Sequence, residues 1–422
     1  MNPDATPTGE LPPHAGVNLA RLSELAALFL KLGAISFGGP AAHTALMEAE
    51  VVGKRQWLTR QQFLDMLGAA NLIPGPTSTE IAINVGFVRA GWAGLCVAGA
   101  CFIAPAALIT GAFAWAYVRF GASPQAASVL AGVKPAVLAV IAIAIWRLGK
   151  TAMRDVELAA LGGLALAAFF FSLNPIVILL GGGLLGMMAQ QIASFRSQAA
   201  LFSSTLMRQT LREKVSAATG SQWLRCFSWR PIAAVAAASS ATGAVVMQPS
   251  LLRIALFFLR VGAVLYGGGY VLLAFLEEGL VHQHGWLTQQ QLLDAVAIGQ
   301  FTPGPVLSTA TFIGYILGGA PGAAVATVSI FLPSFFYVAL LAPVLFRLRR
   351  SPWMAAFLDS VNVCAVALMA AVTFRLALDA LHGGLTWMIA GASLGVLLRW
   401  KLNPAWAVAG GGLAGLVVAA IR

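Results

Sequence analysis

The sequence predicts an all-α polytopic membrane protein built from two homologous helical halves, inserted as inverted-topology repeats, with broken or re-entrant helices. Three observations carry this. The 422 residues are 59% hydrophobic and 10% charged, against about 25% charged in a soluble protein. Apolar segments of about 20 residues, enough to cross a bilayer, recur at 90–118, 128–145, 322–346 and 355–374. The stretch 57–80, WLTRQQFLDMLGAANLIPGPTSTE, returns 229 residues later as WLTQQQLLDAVAIGQFTPGPVLST. A β-barrel is excluded, because barrel strands alternate apolar and polar residues.

In chain order, residues 1–21 form a polar N-terminal tail with Pro3, Pro7, Pro12 and Pro13. The tail lacks the basic region and short apolar core of a signal peptide. The first repeat covers 22–195. Its first apolar segment is interrupted at Phe37-Gly38-Gly39-Pro40, and its second carries the break Pro74-Gly75-Pro76. A basic cytoplasmic linker follows at 196–230. Residues 231–422 then hold an extra segment, Pro231–Met247, and the second repeat. Phe29-Leu30-Lys31-Leu32-Gly33 returns as Phe258-Leu259-Arg260-Val261-Gly262, and Gly181-Gly182-Gly183 as Gly410-Gly411-Gly412.

The charges set the orientation. With each Pro-Gly-Pro segment returning to its starting side, the basic loops of the first half fall on one side, which is cytoplasmic by the positive-inside rule. The equivalent first loop of the second half, Glu277–Thr288, has no Lys or Arg. Its basic residues (Arg347, Arg349, Arg350, Arg399, Lys401) lie in loops whose counterparts were outside. The pattern inverts, as in many secondary transporters. Two topologies give this result. In one, the Gly-Gly segments span. In the other they are re-entrant too, and Pro231–Met247 supplies the odd crossing; this second arrangement gives the unmatched segment a purpose.

A break inside a membrane segment is costly, because freed backbone groups find no water. Matched breaks in two halves therefore point to a binding site. Helix N-termini present free N–H groups and about half a positive charge. The expected substrate-binding residues at these breaks are Gly38, Gly39, Gly75, Thr77, Ser78, Thr79, Gly267, Gly268, Gly304 and Ser308. Lys31 and Arg260 occupy matched positions about 15 Å into their segments if helical, and are read as cations facing an anion pathway. The competing reading is snorkelling, or an ion pair with Glu48 or Glu277. Asp65 and Asp294 match each other near the starts of their hairpins, as helix caps or proton-coupling carboxylates. Glu80, opposite Thr309 in the second half, is the third proton-coupling candidate, with a salt bridge as its alternative.

Other function classes find little support. The net charge of +11 is accounted for by loops and linker, which argues against nucleic acid. The four cysteines make no CxxC pair and the five histidines are scattered, so no metal or other cofactor is expected. Gly149-Lys150-Thr151 lacks the first glycine of a phosphate-binding loop, and no G-x-S-x-G or H-E-x-x-H occurs. The chain reads as a non-enzyme. A lipid scramblase or assembly factor is a lesser alternative.

Phe37-Gly38-Gly39-Pro40, Trp57-Leu58-Thr59 and Pro74-Gly75-Pro76-Thr77, with their copies Tyr266-Gly267-Gly268, Trp286-Leu287-Thr288 and Pro303-Gly304-Pro305, resemble the chromate ion transporter family in its long two-domain form. The resemblance runs from about Leu22 to the C-terminus. It implies efflux of chromate across the bacterial inner membrane, driven by the proton motive force and conferring resistance. The partners it implies are a tetrahedral oxyanion and the bilayer; a homodimer is left open. The second half departs at Gly269 and Val306, where the first has Pro40 and Thr77. Sulfate has chromate's shape and charge and stands as an alternative substrate.

Overall fold

The computed structural model describes residues 19–37, 39–70, 73–121, 123–171, 173–189, 249–266, 271–341, 352–400 and 404–421. Within them the chain is helical. The elements are α1 Leu19–Ile35, α2 Pro40–Glu48 running into a π-turn at Ala49–Lys54, α3 Arg60–Ala70, α4 Thr77–Phe120, α5 Pro124–Ala152 and α6 Val156–Phe170, then α7 Pro175–Ala189. The second half repeats them as α8 Leu251–Val264, α9 Leu272–Leu276 with a π-turn at Glu277–Gln283, α10 Gln289–Phe301, a 3-10 turn at Val306–Ser308, and α11 Thr309–Leu341. The last three are α12 Pro352–Ala380, α13 Gly384–Trp400 and α14 Pro404–Ile421. Five helices among the described residues are long and apolar enough to cross a membrane. The linker 196–230 and Pro231–Met247 lie outside the described residues.

The long element α4 is a hairpin rather than a rod. Backbone angles leave the helical range at Ala90 and Gly91, where Gly91 takes φ +61°. A Cβ on Gly99 would lie 2.9 Å from Ile83 Cγ1, whereas 16 residues of straight helix would separate them by about 24 Å. The two limbs therefore run back along each other, with the facing glycines Gly86 and Gly94 allowing the backbones to touch. The element α11 repeats this. It turns at Gly318–Gly319, and Thr311 Oγ1 lies 2.7 Å from Thr327 Oγ1 across the limbs.

The re-entrant reading of both breaks follows from side-chain contacts. The Arg89 guanidinium, at the end of the short limb of α4, sits 4.9 Å from the Trp57 ring, just before α3. The chain has thus entered through α3, broken at Pro74-Gly75-Pro76 and returned to its starting level. α1 and α2 return in the same way, because Lys31 on α1 reaches Glu50 beyond α2 at 3.2 Å. Glu24 on α1 also meets Arg89, at 3.2 Å. The Gly-Gly segment of the first half is thus re-entrant as well, the feature that separates the second topology from the first.

The long limb of α4, residues 92–120, measures about 43 Å at 1.5 Å per residue and serves as a ruler for the inversion. α3 enters beside its start, at Arg89. α10 enters beside its end, where Tyr117 donates to Asp294 Oδ2 at 2.9 Å. Further along, Phe113 meets Phe301, and Ala106 meets Gly304. The two hairpins are inserted from opposite ends of one spanning helix.

The halves are intertwined through small residues. α14 lies on α5, with Gly132 against the backbone of Gly411 and Gly415. Its repeat-mate α7 lies on α12, with Gly182 against Cys364 and Gly186 against Ser360. Lipid chains are as apolar as leucine, so helices in a membrane gain by close van der Waals approach, which glycine permits.

Candidate translocation site

Each Pro-Gly-Pro break is held by the opposite half. The amide of Gly75 donates to the carbonyl of Leu265 at 2.7 Å, and the amide of Gly304 donates to that of Ser36 at 2.8 Å. Ser36 and Leu265 are themselves repeat-mates, each just past the end of the first helix of its half. The arrangement is reciprocal, and it satisfies one amide that each break frees. Gly304 packs on Ala106, the midpoint of the long limb of α4, so this junction lies at mid-depth. Both glycines take a left-handed φ, +147° at Gly75 and +91° at Gly304. That conformation disfavours any residue with a Cβ.

The two junctions differ chemically. In the first, the missing Cβ of Gly75 leaves room into which Glu80 Oε1 and Ser334 Oγ both point. Glu80 is fully buried. Neither of its carboxylate oxygens, nor Ser334 Oγ or Thr79 Oγ1, has a hydrogen-bond partner in the structure. In the second, hydroxyls take the acid's place. Thr110 donates to Ser308 Oγ at 3.2 Å, and Thr309 Oγ1 donates to the Val306 carbonyl at 2.8 Å. His43 Nε2 lies 3.1 Å from the Ser36 carbonyl. A carbonyl only accepts, so Nε2 carries the proton, and Nδ1 and Ser36 Oγ are left as buried unpartnered atoms. A small, largely apolar cavity lined by Ile141, Leu276, Gln300 and Thr309 adjoins this side.

The predicted site residues therefore separate. Gly75, Ser78, Thr79 and Glu80 gather at the first junction, and Gly304 and Ser308 at the second. Thr77, half-buried, opens the short limb of α4. Gly39 precedes α2 at φ +82°. Gly38, Gly267 and Gly268 lie outside the described residues. The second half is one residue shorter at the 3-10 turn Val306–Ser308: Gly75 and Gly304 are 229 apart, but Gly86 and Gly314, which make equivalent contacts, are 228 apart. Ser308, not Thr309, thus stands at Glu80's position.

Two expectations need correction. Lys31 pairs with Glu50, not Glu48; Glu48 instead meets Arg60 at 3.4 Å. Successive helical residues rotate by about 100°, so Glu48 and Glu50 face nearly opposite ways, and only Glu50 looks back at α1. Its carboxylate is also held by Lys54 at 3.0 Å and by Arg55. Arg260 is exposed, and no ion pair forms to Glu277, which is met by His282 at 3.5 Å and Gln289 at 3.5 Å. Nor do the paired aspartates cap helices. Thr59 with Gln62, and Thr288 with Gln291, make the caps by reciprocal side chain–backbone bonds of 2.9 and 3.2 Å in each half. Asp65 is half-buried and accepts from Gln61 at 3.2 Å. Asp294 is buried and pairs across the halves with Lys134 at 3.1 Å.

Sequence reasoning passed over Lys134, His43 and Ser334. Lys134 carried a usable signal, a lone cation inside an apolar span. Ser334 and His43 carried none, since only the fold brings them to the breaks.

Comparison with known proteins agrees with the duplication. The family model described as "Chromate transporter" matches twice, over residues 23–187 and 252–416. The chain is 32% identical to the chromate transport protein of Cupriavidus metallidurans, over 98% of this chain and 97% of that one. It is 31% identical to the probable chromate transport protein of Synechococcus elongatus, covering 90% and 91%. It is also 31% identical to the chromate transport protein of Pseudomonas aeruginosa, covering 94% and 92%. No solved structure matches.

Proposed function

Because this chain belongs to the chromate transporter family, we propose that it is a secondary transporter exporting chromate across the bacterial inner membrane. In this reading the flux is coupled to the proton motive force and confers chromate resistance. The observation that carries the reading is the reciprocal seating of the two breaks, Gly75 on Leu265 and Gly304 on Ser36. Helix breaks at mid-depth, each held by the other half, are a site that rocking of one half against the other exposes to either side.

The junctions divide the work. A dianion leaving water needs donors and compensating charge. The second junction offers the Ser308 and Thr110 hydroxyls beside a helix start. The first already holds an acid. Among the described residues Glu80 has no cation beside it, so its charge state depends on whichever cation reaches it, and it is the group that carries the coupled proton. Lys31 and Arg260 stand on exposed faces of α1 and α8 and draw the anion toward the site rather than binding it there.

The test is chromate uptake into inverted vesicles holding the purified chain, with sulfate as competitor. The reading expects saturable uptake that a pH gradient drives and that Ser308→Ala reduces at least tenfold, about 1.4 kcal/mol. Uptake no faster than in empty vesicles would overturn it. Equal competition by sulfate would widen the substrate to divalent tetrahedral oxyanions.

A further inference from the structure

We propose that Lys134 and Asp294 form a proton-linked anion latch, in which protonation of Asp294 frees the Lys134 ammonium to bind the transported oxyanion. This rests on the oxyanion-transport reading and adds a binding residue and a coupling step to it.

The pair joins the two halves. Lys134 lies on α5 of the first half, and Asp294 on α10 of the second, the helix that leads to the Pro303-Gly304-Pro305 break. Lys134 Nζ stands 3.1 Å from Asp294 Oδ1 and donates to Gln290 Oε1 at 2.8 Å. The Tyr117 hydroxyl donates to Asp294 Oδ2 at 2.9 Å. The Asp294 side chain is 4% exposed and that of Lys134 is 14% exposed, so the ammonium borders the open side of the pair and an incoming ligand meets it first.

The duplication argues that the pair is not there to hold the fold. The fold is built twice, and the lysine of this pair stands in one copy. The register fixed by Gly132 with Ser360, and by Ala136 with Cys364, places Asn362 where the first half has Lys134. Asp65, the mate of Asp294, bonds to Gln61 on its own helix. With asparagine in place of the lysine, the α3 hairpin seats without a copy of this Lys–Asp pair. A buried pair is also a poor source of stability, because desolvation consumes its Coulomb gain.

Among the described residues, no other charge is placed to stand in for either partner. Among the elements packed against α10, α4 supplies Tyr117, while Arg119 is exposed. On α5, Arg147 and Lys150 are exposed. The π-turn after α9 supplies Glu277, engaged by His282 and Gln289, and Glu278, engaged by Gln283 at 3.2 Å. α11 supplies Tyr315, and α14 carries no titratable side chain.

The step balances simply. One proton adds to Asp294 Oδ1, the oxygen facing Lys134, while Tyr117 goes on donating to Oδ2. The neutral pair becomes a single positive charge. Lys134 keeps its bond to Gln290 and turns its remaining N–H groups to the oxyanion. One proton and one anion thus bind together, each favouring the other by the same factor; this proton leaves with the anion and is distinct from the one that Glu80 carries inward.

The test uses the full chain in lipid nanodiscs, with chromate and radiolabelled sulfate as probes, between pH 5.5 and 8.5. Proton uptake on anion addition is followed with an indicator dye. Wild type should bind more tightly as pH falls and take up protons as it binds. Asp294→Asn should hold the tight affinity at every pH and take up none. Lys134→Gln should bind at least tenfold more weakly, and Lys134→Arg should retain the pH dependence. Lys134→Gln binding within twofold of wild type, or an unchanged pH slope in Asp294→Asn, would overturn the latch. Wild-type binding and slope in the double variant Lys134→Gln with Asp294→Asn would also overturn it and leave the pair structural. If Lys134→Gln does not fold, the slope of Asp294→Asn decides. A wild-type chain that binds neither anion at any pH defeats the transport reading itself, a different failure.

Discussion

Substituting Gly304 by alanine perturbs the second junction with a single methyl group. The cost has two parts. Gly304 holds φ +91°, and a left-handed backbone costs a residue with a Cβ about 1–2 kcal/mol. The added carbon would also lie 2.8 Å from Ala106 Cβ and 3.0 Å from the Gly33 carbonyl oxygen. Both neighbours are fixed by helices, so one or both must move, at about 1–3 kcal/mol. The sum is about 2–5 kcal/mol. Gly285→Ala is the matched control: it has φ +60° but nothing within 4 Å of the new carbon, so it carries only the backbone part. The assay is equilibrium unfolding in mixed micelles, with chromate flux measured on the same preparations. Gly304→Ala should be the less stable variant by about 1–3 kcal/mol, the packing part, and should lose most flux. Equal stabilities would refute the close seating of the break on α4.

Other predictions follow from the first half. Glu50 is held from its ordinary 4.5 down to about 2, chiefly by its bond to Lys54, with Arg55 and Lys31 adding to it. A depressed carboxyl contributes stability above its unfolded pKa and loses it as pH falls through the folded one. The stability gap between wild type and Glu50→Gln should therefore be full above pH about 4.5 and close toward pH about 2, as read by unfolding in micelles across that range. Lys31→Gln should cut transport by no more than a few-fold, because Lys31 lies off the junctions. A loss beyond tenfold in well-inserted protein would return it to the binding site. Glu80→Gln should bind chromate as wild type does but lose uptake driven by a pH gradient. Full gradient-driven uptake would leave Glu80 with a structural role.

The duplication and the breaks were legible because they are written in residue identity. Pro-Gly-Pro and Gly-Gly recur at one offset, and lipid makes such breaks too costly to be incidental. The inversion was legible because charge reports side. What escaped depends on rotation and on remote pairing. One residue fewer at the 3-10 turn moved Glu80's counterpart from Thr309 to Ser308, which a constant offset conceals. Glu48 and Glu50 lie two residues apart, but only the latter faces α1, and composition does not report a helix's rotation. The threonines at 59 and 288 took the capping role assigned to the aspartates because a side-chain oxygen at the N-cap reaches the third amide, while one halfway along the helix does not. The chemical difference between the junctions needed Ser334 and Ser36, each supplied from the other half.

Two copies of one fold are inserted in opposite senses, so that their breaks meet at mid-depth. Single cysteines at Gly53 and Gln283, both exposed and in the equivalent turns of the two halves, test this directly. Each is placed in a chain whose native cysteines are replaced, and intact cells are treated with a membrane-impermeant maleimide. Opposed insertion gives labelling at 283 and protection at 53 until the membrane is opened. Labelling of both positions, or protection of both, in intact cells would contradict it.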